Sequence, residues 1–71
     1  MQGSQDYQMA LEHYNRAIQL KPNLAEAYEY RGVLFVKMDR KSVAKKDLAT
    51  LKTLNPELAV QLERAMKRGK G

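Results

Sequence analysis

The sequence predicts an all-α fold of antiparallel helical hairpins, about four helices in all, and three observations carry that reading. First, the chain repeats itself at an offset of 34 residues: Pro22 with Pro56, Met9 with Val43, Ala10 with Ala44, Tyr14 with Leu48, Ala17 with Leu51, Leu20 with Leu54, Leu24 with Leu58 and Ala25 with Ala59. Small residues recur as small and large apolar residues as large, and a fixed period of about 20 to 50 residues marks a repeat architecture. Second, apolar residues recur at helical spacing, and no segment shows the strict alternation of a strand. Third, the two prolines fall between the periodic segments, where they stop one helix and admit the next.

Each element follows from these signals. Tyr7, Ala10, Leu11, Tyr14, Ala17 and Ile18 form an apolar stripe with Glu12, Asn15, Arg16 and Gln19 opposite, which predicts a first helix over about 6–20. Lys21-Pro22-Asn23 ends it. Asn23 is the expected N-cap of a second helix over about 24–37, with Glu26 three residues on in the capping-box position. Met38-Asp39-Arg40 is the expected tight turn, and Val43, Ala44, Leu48, Leu51 and Leu54 mark the apolar side of a third helix. Asn55 is the expected cap of the fourth, over about 57–67, with Pro56 in the first helical position, where its missing N–H costs nothing. Leu58, Leu62, Ala65 and Met66 are its inward side. The ends, 1–5 and 68–71, are expected to be flexible.

Length and composition bound the function. With 71 residues and 44% hydrophobic content the chain makes one small domain, which hides a smaller share of its surface than a larger one. It has no cysteine, so disulfides and thiolate metal sites are excluded. No apolar run approaches the roughly 20 residues that cross a bilayer. Met1–Asp6 lacks the basic and apolar regions of a signal peptide, so a soluble, cytoplasmic chain is expected. The formal net charge of +5 is uneven. Residues 1–36 carry three basic groups against four acids, and residues 37–71 carry ten against four. Lys37, Arg40, Lys41, Lys45 and Lys46 form one basic cluster, and Arg64, Lys67, Arg68 and Lys70 another.

The spacing and residue sizes resemble the tetratricopeptide repeat, a 34-residue helix-turn-helix unit. Residues 25–58 resemble one complete unit, with Tyr28 at a large aromatic position, Gly32 at the small position and Phe35 at the next aromatic. Ala44 stands at the helix-crossing site, Leu48 and Leu51 at later packing sites, and Pro56 closes the unit. Residues 6–24 resemble the second helix of a preceding unit, and 59–67 the first helix of a following one. The resemblance implies a fragment of a right-handed α-solenoid. Its first unit lacks the opening helix, which leaves part of the first helix without the neighbour that stacking supplies. Either the chain is a piece of a longer array, or it completes itself by self-association through that open face, giving a homo-oligomer. Arg31 stands where many members have leucine, and the Arg-Gly pair is similar to a common subtype with an acid on the following helix. The matching position here is Asp47, so the resemblance implies an Arg31–Asp47 salt bridge.

No arrangement of residues points to catalysis, and we read the chain as not an enzyme. His13 is the one histidine, Ser4 and Ser42 lack partners for nucleophilic chemistry, and no glycine-rich phosphate loop is present. No metal site and no cofactor are expected. Glu26 and Glu29 stand three apart on one helix face, where they read as a binding surface or capping group. The resemblance implies a concave groove that holds a partner peptide or helix, lined by Glu26, Glu29, Val33, Val36 and Lys37, with Tyr30 at the edge and Glu63, Arg64 and Lys67 on the fourth helix. Members that clamp acidic tails of heat-shock chaperones use lysines and asparagines there, and Glu29 with Val33 disfavours such a ligand. An amphipathic helix or a peptide bearing basic residues fits better. Tyr7, Tyr14, Tyr28 and Phe35 fall at packing positions and read as core, which leaves only Tyr30 free. Two other functions stay open: electrostatic binding of nucleic acid or an anionic surface by the basic second half, and a structural repeat fragment without a separate ligand.

Overall fold

A computed structural model describes the backbone of residues 3–68 and the side chains of residues 6–68. Four α-helices follow one another, α1 (Gly3–Leu20), α2 (Ala25–Lys37), α3 (Lys41–Leu54) and α4 (Pro56–Arg68), with no strand among the described residues. The fold class is therefore the one the period predicts. α1 starts three residues ahead of the expected boundary, with Asp6 in its first turn, where a negative charge suits the positive end of the helix dipole. α4 runs through Arg68, and Lys67 and Arg68 suit its negative end. Of the expected flexible ends, residues 1, 2 and 69–71 lie outside the described residues.

α2 is the central element and packs against α1, α3 and α4, while α1 touches only α2. Leu48, Leu51, Ala59 and Leu62 form the buried core, with Tyr28, Val33, Leu58 and Met66 packed on its border. Ala27, Leu34, Phe35 and Ala44 are buried beside it. The core thus sits among α2, α3 and α4. The stripe predicted for α1 is the half-buried one, but none of α1's described side chains is fully buried. Leu54, expected on the apolar side of α3, is instead exposed, because α3 ends there and the chain turns away.

The helix junctions differ in chemistry. Asn55 Oδ1 accepts from the backbone N–H groups of Glu57 and Leu58 at 3.1 and 3.3 Å, satisfying two of the donors a helix start leaves unpaired. Asn23 does not cap α2. Lys21 O accepts from Leu24 N at 3.0 Å, which places Pro22 and Asn23 at the two central positions of a β-turn. Leu24 takes the N-cap position and makes no side-chain cap bond. The cause is one residue: Asn55 precedes its proline, whereas the equivalent Lys21 cannot accept, so α2 starts three residues later than α4 does in the repeat. Tyr28 reinforces that turn by donating its hydroxyl to Pro22 O at 2.8 Å.

At the end of α2, Asp39 adopts φ 64°, the left-handed region. Arg40 N donates to Phe35 O at 2.7 Å and Asp39 N to Val36 O at 3.0 Å, the pair of bonds of a Schellman cap. This reverses the chain and sets α3 back against α2.

Candidate partner-binding grooves

Arg31 fixes the relative positions of three helices. Its Nε donates to Asp47 Oδ2 at 3.0 Å and its Nη2 to Asp47 Oδ1 at 2.6 Å, a bidentate pair between α2 and α3. Its remaining Nη1 donates to Asn15 Oδ1 at 2.8 Å on α1. The guanidinium also lies 5.6 Å from the Tyr28 ring centre and 5.8 Å from that of Phe35, within cation–π range. The Asp47 hydrogen bond holds the guanidinium pKa above its usual value. Gly32 beside it meets α4: a Cβ there would lie 2.6 Å from a methyl carbon of Leu62. Its smallness thus lets Leu62 of α4 seat against α2.

With these helices fixed, α1 and α2 enclose a depression of about 490 Å³. Glu29, Tyr30, Val33 and Lys37 line its α2 side, one stripe at helical spacing, and Asp6, Tyr7, Ala10 and Tyr14 line its α1 side. Tyr30 is 52% exposed, and its ring centre lies 5.9 Å from that of Tyr14, so it is not a free aromatic. Tyr7 and Tyr14, expected in the core, are half-buried and form its wall, because α1 has no neighbour but α2. Burial pushes the Glu29 carboxyl above its usual pKa, and the charge of Glu26 adds to the rise.

The remaining sequence-derived candidates lie elsewhere. Val36 borders an adjoining depression, which shares Val33 and Lys37 with the first and adds Ala65 and Arg68 of α4. Glu26 is exposed and lines neither. Arg64 and Lys67 stand with Arg68 at exposed positions of α4. Glu63 and Lys67 also line a crevice between α3 and α4, apart from the α1–α2 depression. The structural residues Tyr28, Phe35, Ala44, Asp47 and Leu48 lie in or beside the packed interior, and Pro56 opens α4 at the surface. Sequence reasoning missed Asp6, Tyr7, Ala10 and Tyr14 as lining residues. The signal for them was the apolar stripe of α1, which packs on α2 alone among the described helices.

Among the described residues no group of His, Cys, Asp or Glu could hold a metal ion. No described helix is long and apolar enough to cross a membrane.

Consecutive antiparallel helices joined by short turns, repeated at 34 residues and leaving open grooves between neighbours, define a helical-repeat scaffold of the kind that mediates protein–protein interaction. A family model described as TPR repeat matches residues 4–39, half of the chain, and the chain belongs to the tetratricopeptide repeat family. The match spans α1 and α2. Comparisons with curated proteins and with solved structures return no match.

Proposed function

We propose that the chain binds a partner protein by holding an amphipathic, basic segment of it in the α1–α2 depression. The observation that carries this reading is the lining: the carboxylates of Asp6 and Glu29 flank an apolar and aromatic surface made by Tyr7, Tyr14, Tyr30 and Val33. Such a surface buries one face of a helix or peptide while its carboxylates receive lysine or arginine. The same lining disfavours an acidic tail.

The test is affinity capture with the intact chain and with Glu29→Lys/Tyr30→Asp. Glu29 is partly exposed and Tyr30 is 52% exposed, so the variant is expected to melt within about 1 kcal/mol of the parent. Partners retained by the parent and lost by the variant would support the groove, and a partner set that survives the double change would overturn it. Raising salt should weaken capture only modestly, because the aromatic contacts are insensitive to screening.

A further inference from the structure

We propose a second docking site, of opposite charge, in the crevice between α3 and α4, whose occupant is an acidic amphipathic helix of a partner protein. The crevice is about 560 Å³ and shares no lining residue with the α1–α2 depression. Leu48, Ala49 and Met66 form its apolar floor, and Lys41, Lys45, Lys52 and Lys67 its rim. Glu63 is its single carboxylate.

Three features select this occupant. The lysines of α3 stand at i, i+4 and i+11, so the basic rim runs for about 16 Å, three helical turns, past the apolar floor. That length matches a helix laid alongside. Four ammonium groups against one carboxylate favour a partner whose apolar stripe is bordered by aspartate or glutamate. Nucleic acid would satisfy the lysines but not the floor, which contains no aromatic ring on which a base could stack. An extended acidic tail would likewise leave the accessible apolar surface of Ala49 and Met66 wet.

The experiment uses the full chain and three labelled probes in fluorescence anisotropy: a 14-residue leucine–glutamate amphipathic helix, the same peptide with lysine for glutamate, and a 20-nucleotide single-stranded DNA. The glutamate peptide should bind, and Lys45→Glu/Lys52→Glu should weaken it at least tenfold. Ala49→Asp, an exposed change on the floor, should also weaken it, whereas Glu29→Lys/Tyr30→Asp in the other groove should leave it unchanged. Equal binding of the lysine peptide, DNA that binds more tightly than the glutamate peptide, or indifference to the lysine changes would overturn the proposal. So would a mass that doubles with concentration and returns to the monomer in Lys45→Glu/Lys52→Glu, which would give the crevice to a second copy of the chain. Because the two grooves share no residue, this site can fail while the α1–α2 reading stands.

Discussion

Asp47 is 2% exposed, and its charge is tolerable there because both carboxylate oxygens accept from Arg31. Removing either partner leaves the other uncompensated, but the two losses differ. In Asp47→Ala the guanidinium side chain, 21% exposed, can still reach water and keeps Asn15, so the loss should be about 3 kcal/mol. Arg31→Ala strands a buried carboxylate and should cost more, towards about 5 kcal/mol. Urea denaturation of both variants checks the order, and equal losses would contradict it. Gly32 supplies a second test. Alanine there gains up to about 1 kcal/mol of helix propensity but collides with the fully buried Leu62, so a net loss of about 1–2 kcal/mol is expected. The clash is specific, so Gly32→Ala with Leu62→Ala should be less destabilising than the sum of the single changes. Arg31's partner could be named from the sequence, because the family resemblance implies an acid at the position of Asp47 on the following helix. Leu62 as the neighbour of Gly32 could not, since it belongs to the following unit.

At the scale of elements, the helix junctions give contrasting expectations. Asn55→Ala should cost about 1 kcal/mol, the ordinary loss of an N-cap, whereas Asn23→Ala should cost less than half of that. Thermal unfolding of the two variants separates them. The sequence marked both asparagines as caps, Asn23 by the capping-box spacing to Glu26 and Asn55 by Pro56 at the first helical position. Only their order relative to the proline decides which one reaches the helix N–H groups. Asp39 pays the strain of a left-handed backbone in the Schellman cap, so Asp39→Gly should raise stability by up to about 1 kcal/mol. α1 has no fully buried described side chain and packs on α2 alone. Its amides should therefore exchange with solvent faster than those of α2 and α3, an ordering that amide hydrogen exchange reads directly.

Over the whole molecule, the Cα radius of gyration of 11.5 Å lies close to the ~11 Å of a compact domain of this length. Its extents of 35 × 30 × 16 Å describe a slab, with grooves of opposite charge lying between different helix pairs. Glu29 ties the acidic groove to pH. Its folded-state pKa is raised by burial and by Glu26, so the folded chain holds the proton to higher pH than the unfolded chain does. Its contribution to stability therefore declines as pH rises from the unfolded value through the raised one, and stays lost above it. Glu29→Gln should remove that decline and leave the chain slightly more stable at neutral pH, as melting at pH 4 to 8 would show. Around Glu29, Asp6, Glu26, Tyr7, Tyr14, Tyr30 and Lys37 are the other titratable groups. Of these, Lys37 is the cation, and Glu26 adds to the rise.

By itself the sequence determined the helical class, the 34-residue unit and the turn residues, because period, residue size and proline placement are local properties of the chain. The Arg31–Asp47 pairing was legible through the family resemblance, and the structure shows it. The tertiary structure alone decided which apolar residues are walls and which are core. Tyr7 and Tyr14 occupy packing positions yet line a groove, because burial depends on a neighbouring helix rather than on the residue. It likewise decided that Glu63 and Lys67 face the α3–α4 crevice and Glu29 the α1–α2 depression. That division follows from the rotation of α4 about its axis, which is fixed where Leu62 seats against Gly32.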